Sequence, residues 1–119
     1  MSLLSHRDRE DRPWGSFERF TLDEPCTVKL IRVNAEAELS LQRHAKRAEF
    51  WRVVEGSGKA RVGEVERPLA PGDEVEVPRG EVHRLIGGPQ GLLVLEIAKG
   101  DFDEGDIERL EDNFGRAAP

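Results

Sequence analysis

The chain has 119 residues, with 18 Lys and Arg against 24 Asp and Glu, for a formal charge of −6 at neutral pH. That balance argues against a general nucleic-acid binder, which needs a basic stripe. The lone Cys26 excludes an internal disulfide framework and fits a reducing compartment. No apolar run approaches the roughly 20 residues that a membrane helix needs. The first five residues lead into the charged run 6–12 without a signal-peptide apolar stretch, so a cytoplasmic location is expected.

The length suits one domain with a single modest core. Residues 1–11 are polar and charged and are expected to form a flexible arm, followed by a domain over 12–116 and a tail at 117–119. Trp14, between Pro13 and Gly15, is expected to anchor the core or its rim. Residues 26–34 look like a mostly buried strand, and 35–37 like a turn. In 38–44 the residues alternate: Leu39 and Leu41 share one face, Ser40, Gln42 and His44 the other. The polar face either meets solvent or points into a ligand-holding barrel, and parity alone does not choose.

Residues 49–55 alternate again, with Glu49, Trp51 and Val53 on one face. Turns are expected at 56–58, 63–64, 70–73, 78–80 and 87–91, where Gly and Pro cluster. Between them lie short strands at 59–62, 65–69, 74–77, 82–86 and 92–98. Pro68 points to an edge or a strand end, and 92–98 is the most apolar strand. After these strands, Asp106 suits the cap of a short helical turn over 107–111. Many short strands with Gly/Pro turns predict an all-β sandwich or barrel.

Two stretches carry the chemistry. Gln42, His44 and Glu49, closed by Gly56, are answered by Gly72, Pro78, Gly80, His83 and Gly87. An amide oxygen, two imidazoles and a carboxylate make a mixed N/O set suited to a divalent metal, with Zn, Fe, Mn, Co and Ni all compatible. The spacing Gln42-x-His44-x4-Glu49-x6-Gly56 resembles the first cupin motif, and Gly72-x5-Pro78-x-Gly80-x2-His83-x3-Gly87 the second. Flanking residues narrow the likeness: Arg12-Pro13-Trp14-Gly15, Arg47-x-Glu49-x-Trp51, His83-Arg84, and Asp106-Ile107 through Glu111-Asp112 to Phe114-Gly115-Arg116. Together they resemble type II mannose-6-phosphate isomerases, the C-terminal cupin domains of bifunctional mannose-1-phosphate guanylyltransferase/isomerase enzymes.

The resemblance implies a cupin double-stranded β-helix holding one divalent metal, zinc first among the candidates, on Gln42, His44, Glu49 and His83. The implied reaction converts mannose 6-phosphate to fructose 6-phosphate through a cis-enediolate. Arg47 and Arg84 match the family beside the ligands and are expected to contact the substrate phosphate. Lys29 also matches the family and otherwise reads as a strand-face charge. The chain departs from the family at Lys46 and Phe50, where histidines are usual, and at Glu36, where glycine is usual. Those departures make a non-catalytic module for a sugar phosphate or nucleotide-sugar the main alternative, with a metal-cupin dioxygenase as a further one. Lys46 is left as the candidate base. The expected partner is a small sugar phosphate, with no nucleic acid and no membrane, and a homodimer through edge strands is compatible with the fold.

Overall fold

The computed structural model describes residues 3–100, 103 and 105–113. Nine strands are formed: β1 (Asp8–Arg12), β2 (Gly15–Arg19), β3 (Thr27–Val33), β4 (Leu41–Arg43), β5 (Arg47–Val62), β6 (Val65–Leu69), β7 (Glu74–Val77), β8 (His83–Gly100) and β9 (Glu108–Glu111). All pairings are antiparallel.

Two long strands organise the molecule. β5 has 16 residues and β8 has 18, and they pair along most of their length. The turns expected at 56–58 and 87–91 are bends inside these strands, with register shifts between Val53 and Glu55 and between Gly56 and Gly58. Such shifts bend a strand without ending it. Gly56 takes φ +84°, and a Cβ there would strike the Gly91 carbonyl, so only glycine lets the two bends cross so closely. Each long strand thereby serves two walls. β5 pairs with β7 over Glu49–Arg52 and with β6 over Gly58–Val62, while β8 pairs with β4 at His83 and with β3 over Leu92–Ala98, and β4 in turn pairs with β9.

Between the walls lies a core of Val33, Trp51, Val53, Ala60, Leu69, Val75, Val77, Leu85, Leu92 and Val94. A second cluster, Leu4, Phe50 and Ile97, packs on the outside of the β5–β8 wall, with Phe20 and Cys26 against it. This cluster overturns the loose-arm expectation. Leu4 is buried, and Arg7 ties the segment down through Glu74 (2.7 Å) and Glu18 (3.2 Å). Asp8–Arg12 then pairs with β2. A charged sequence can still be ordered when its few apolar side chains reach a sheet and its charges find partners.

Trp14 does not anchor anything: it sits in the turn of the β1–β2 hairpin and is 73% exposed. β3 is half-buried rather than mostly buried, because Val28 and Leu30 face outward while Lys29, Ile31 and Val33 face in. Nor is there a helical turn at 107–111. Glu108–Glu111 pairs with β4, which otherwise would expose an edge, and the Asp106 carboxylate accepts hydrogen bonds from the Ala45 and Lys46 amides, both at 2.9 Å. The cap is real but serves another strand's loop. Phe114, Gly115 and Arg116 of the expected motif, and the tail at 117–119, lie outside the described residues.

Candidate metal centre

The parity left open by the sequence is resolved by the neighbours. Gln42 on β4 stands opposite His83 at the start of β8, and residues opposite each other on paired strands share a face. Ser40, Gln42 and His44 line a cavity of about 240 Å3 together with Arg47, Glu49, Trp51 and Glu96. The polar face therefore points inward.

Two turns set the histidines. Gly80, at φ +76°, donates its amide to the His44 carbonyl at 2.9 Å, which locks the loop before β8 onto the loop before β5. His44 then lies with its ring centroid 5.0 Å from that of His83, and Trp51 packs edge-on to His83 at 5.5 Å. His44 Nδ1 lies 2.7 Å from the Asp106 carbonyl and His83 Nδ1 lies 2.9 Å from the Glu81 carbonyl. A carbonyl only accepts, so both Nδ1 atoms carry the hydrogen and both Nε2 lone pairs point into the site. This is the arrangement by which proteins orient metal-binding imidazoles.

Both Nε2 atoms lie close to Glu49, and the His44 one also accepts from Arg47 Nη2 at 3.2 Å. His44 Nε2 is 3.5 Å from Glu49 Oε2, and His83 Nε2 is 3.3 Å from Glu49 Oε1. All three side chains are at most 2% exposed. Two donors about 2.1 Å from one ion, at tetrahedral or octahedral angles, lie about 3.0–3.4 Å apart. The 3.3 Å separation of His83 from Glu49 falls in this range, and the 3.5 Å separation of His44 lies just outside it. Moreover, Glu49 Oε1 and His83 Nε2 are buried without a hydrogen-bond partner among the described residues. Orphaned, converging, buried donors are what a divalent cation would satisfy. His44, Glu49 and His83 are the candidate ligands brought together. Gln42 lines the same cavity, its Oε1 accepting from Ser40 Oγ at 2.7 Å.

Charge states agree with this geometry. Burial pushes the His44 imidazolium to lower pKa, so the ring is neutral near pH 7, as a ligand must be. Burial alone would raise Glu49, but neighbouring positive charge, present on His83 and His44 when they are protonated and permanent on Arg47, outweighs it and holds the carboxyl below its ordinary range. Glu96 behaves oppositely: burial, then the Glu49 charge, pushes it up to about 7 against the pull of Trp51 and Lys29.

The remaining expected residues separate. Arg47 is inside, with Nε 3.2 Å from Glu49 Oε2, Nη2 3.2 Å from His44 Nε2, and Nη1 donating to the Asp103 carbonyl at 3.3 Å. Arg84 is not brought to the cavity. Its neighbours His83 and Leu85 face the interior, so Arg84 emerges on the other side, bonded to the Leu39 carbonyl (3.0 Å) and Glu111 (3.3 Å). Lys46 is exposed on the loop before β5 and does not line the cavity. Phe50 lies on the face of β5 opposite Glu49 and Trp51, within the outer cluster. Sequence reasoning missed Glu96. Its one visible signal was a carboxylate in the middle of the most apolar strand.

With this geometry in hand, the comparisons are direct. The family model described as "Mannose-6-phosphate isomerase C-terminal" matches residues 2–112. The chain belongs to that family. It is 39% identical over 109 residues to the alginate biosynthesis protein AlgA of Pseudomonas aeruginosa, covering 90% of this chain and 23% of that protein. It is 34% identical over 114 residues to the mannose-1-phosphate guanylyltransferase ManC of Salmonella typhimurium, covering 93% and 24%. The chain thus spans about a quarter of the length of these relatives. Among solved structures, a Klebsiella pneumoniae protein with a double-stranded β-helix domain matches with TM-score 0.63 at 18% identity, over 73% of this chain and 76% of that one. That likeness speaks to the fold, which is the all-β cupin barrel that the two motifs implied. Among the described residues, no helix is long and apolar enough to cross a membrane.

Proposed function

We propose that this chain is a metal-dependent sugar-phosphate isomerase domain converting mannose 6-phosphate to fructose 6-phosphate. The observation that carries the reading is the buried His44–Glu49–His83 cluster, of which His44 and Glu49 line a small polar cavity, in a member of the mannose-6-phosphate isomerase C-terminal family. His44, Glu49 and His83 would hold a divalent ion, zinc being the first candidate for a thiolate-free N/O set, with Gln42 supplying a fourth, weaker oxygen. Bound there, the metal supplies Lewis acidity toward the sugar's C1 and C2 oxygens.

The chain's own residues do the rest. Arg47 offers a guanidinium beside the ligands for an anionic substrate group. Aldose–ketose exchange then requires a base that moves a proton between C2 and C1. Lys46, exposed outside the cavity, is poorly placed for it. Phe50 packs outside the barrel, so its replacement of a family histidine leaves the cavity lining intact, which favours retained catalysis over a bare binding module. We place the domain in the cytoplasm, where sugar phosphates are made. We also propose pairing with a second copy through β3, whose outward Val28 and Leu30 lie beside an edge without a strand partner among the described residues.

The test is a coupled assay of fructose 6-phosphate formation with metal-loaded and chelator-stripped protein. Turnover that needs the metal and disappears in His83→Ala supports the isomerase. Saturable binding without product would replace it by the binding module, and oxygen uptake with Fe2+ by the dioxygenase.

A further inference from the structure

Trp51, Glu96 and Lys29 form one row across three strands. Trp51 on β5 and Lys29 on β3 both stand opposite Glu96 on β8, and all three line the cavity. The adjacent row on one side is Val53, Val94 and Ile31; on the other it is Glu49, Ala98 and Thr27. A barrel wall could be completed with an apolar residue at position 96. Instead the chain holds a carboxylate that is 4% exposed, at considerable desolvation cost. The Trp51 indole N–H donates to its Oε2 at 3.2 Å, which fixes its direction. Such a group is a preorganised acceptor, and Lys29 sets a cation beside it.

We propose that Glu96 and Lys29 form a hydroxyl-binding subsite for the polyol chain of a hexose phosphate, oriented by Trp51. The proposal rests on the sugar-phosphate reading above and names which groups hold the carbon chain. Adjacent sugar hydroxyls present donors and acceptors together, which a carboxylate next to an ammonium group satisfies. A phosphate group does not suit the same place, because the Glu96 carboxylate would repel it. The phosphate therefore lies toward Arg47, and the hydroxyls toward β3 and β8. The cavity, about 240 Å3, has room for a small polar molecule.

Trp14 and Trp51 are the chain's two tryptophans, and Trp14 is exposed at the hairpin turn. In a Trp14→Phe background, Trp51 emission therefore reports on the cavity. Metal-loaded protein is titrated with mannose 6-phosphate and, separately, with inorganic phosphate, and metal content is measured alongside. Glu96→Gln keeps an acceptor for the indole, and Lys29→Met keeps the side-chain length. Each should weaken mannose 6-phosphate binding at least tenfold while phosphate affinity and metal content stay at the parent value. Parent-like sugar binding in both variants overturns the subsite, as does a loss of metal that tracks the loss of sugar. If the parent binds neither mannose 6-phosphate nor phosphate, both readings fall. Binding that depends on Glu96 and Lys29 but gives no product keeps the subsite and removes the isomerase.

Discussion

His83 Nε2 and Glu49 Oε1 face each other across 3.3 Å, and neither has a hydrogen-bond partner among the described residues. Leaving a buried polar atom unsatisfied costs about 1–3 kcal/mol. Two such atoms, placed on different long strands and aimed at each other, are better explained by a cation between them than by packing. Purified protein, loaded and desalted, should therefore retain about one divalent ion per chain by elemental analysis. His44→Ala, Glu49→Ala and His83→Ala should each lose it. Gln42→Ala should lose less, since an amide oxygen is the weakest ligand of the set. Full retention in His83→Ala would remove the site.

The candidate cluster of His44, Glu49 and His83 was legible in the sequence because the two motifs fix spacing around glycines that the backbone demands, Gly56 and Gly80 above all. The strands were legible from alternation. Less visible was their continuity: Gly56–Gly58 and Gly87–Gly91 have the composition of turns, and only pairing across both bends shows that β5 and β8 run through them. The residues 107–111 went wrong for a related reason. Asp106 has the chemistry of a helix cap, but its acceptor oxygens were taken by Ala45 and Lys46, some 60 residues away, which no local pattern records. Trp14 shows the same limit, since burial of an aromatic depends on where its hairpin points.

Arg47 and Arg84 should respond differently to alanine. Arg84 bonds the Leu39 carbonyl and Glu111 and lies 3.6 Å from Glu38, holding β4 and β9 against β8. Its loss should cost about 1–3 kcal/mol of stability, the range for charge-assisted hydrogen bonds, with little change in sugar-phosphate affinity. Arg47→Ala should instead weaken phosphate binding. Denaturant titration and phosphate titration of the two variants check this, and a large loss of phosphate affinity in a folded Arg84→Ala would restore Arg84 to the site.

Glu96 gives metal-free protein a specific pH dependence. Burial, then the Glu49 charge, raises its folded pKa to about 7 from the ordinary glutamate value of about 4.5. Between those values the folded state holds a proton that the unfolded state releases, so this group's contribution to stability is present below pH 4.5 and is lost as pH rises through 7. The full span is about 3 kcal/mol. Burial lowers His44, which works in the opposite direction: its contribution is lost as pH falls below 6.5. Comparing the parent with Glu96→Gln cancels the histidine. The variant's advantage should grow from pH 5 to pH 8 in denaturant titrations, and a constant difference would show that Glu96 stays ionised throughout.

Glu36 should be improvable. It holds φ +60° in the turn between β3 and β4, a left-handed conformation that favours glycine. Its amide donates to the Gly88 carbonyl at 3.0 Å, so the turn cannot relax without losing a bond to the bend in β8. An L side chain in this region costs about 1–2 kcal/mol. Glycine removes that cost but loosens the unfolded chain by about 0.4–1 kcal/mol. Glu36→Gly should therefore gain about 0.5–1 kcal/mol, a rise of a few degrees in Tm for a domain of this size. Metal content should not change, because Glu36 is exposed and remote from the cavity lining. A fall in Tm would mean that the glutamate side chain makes a compensating interaction in the turn.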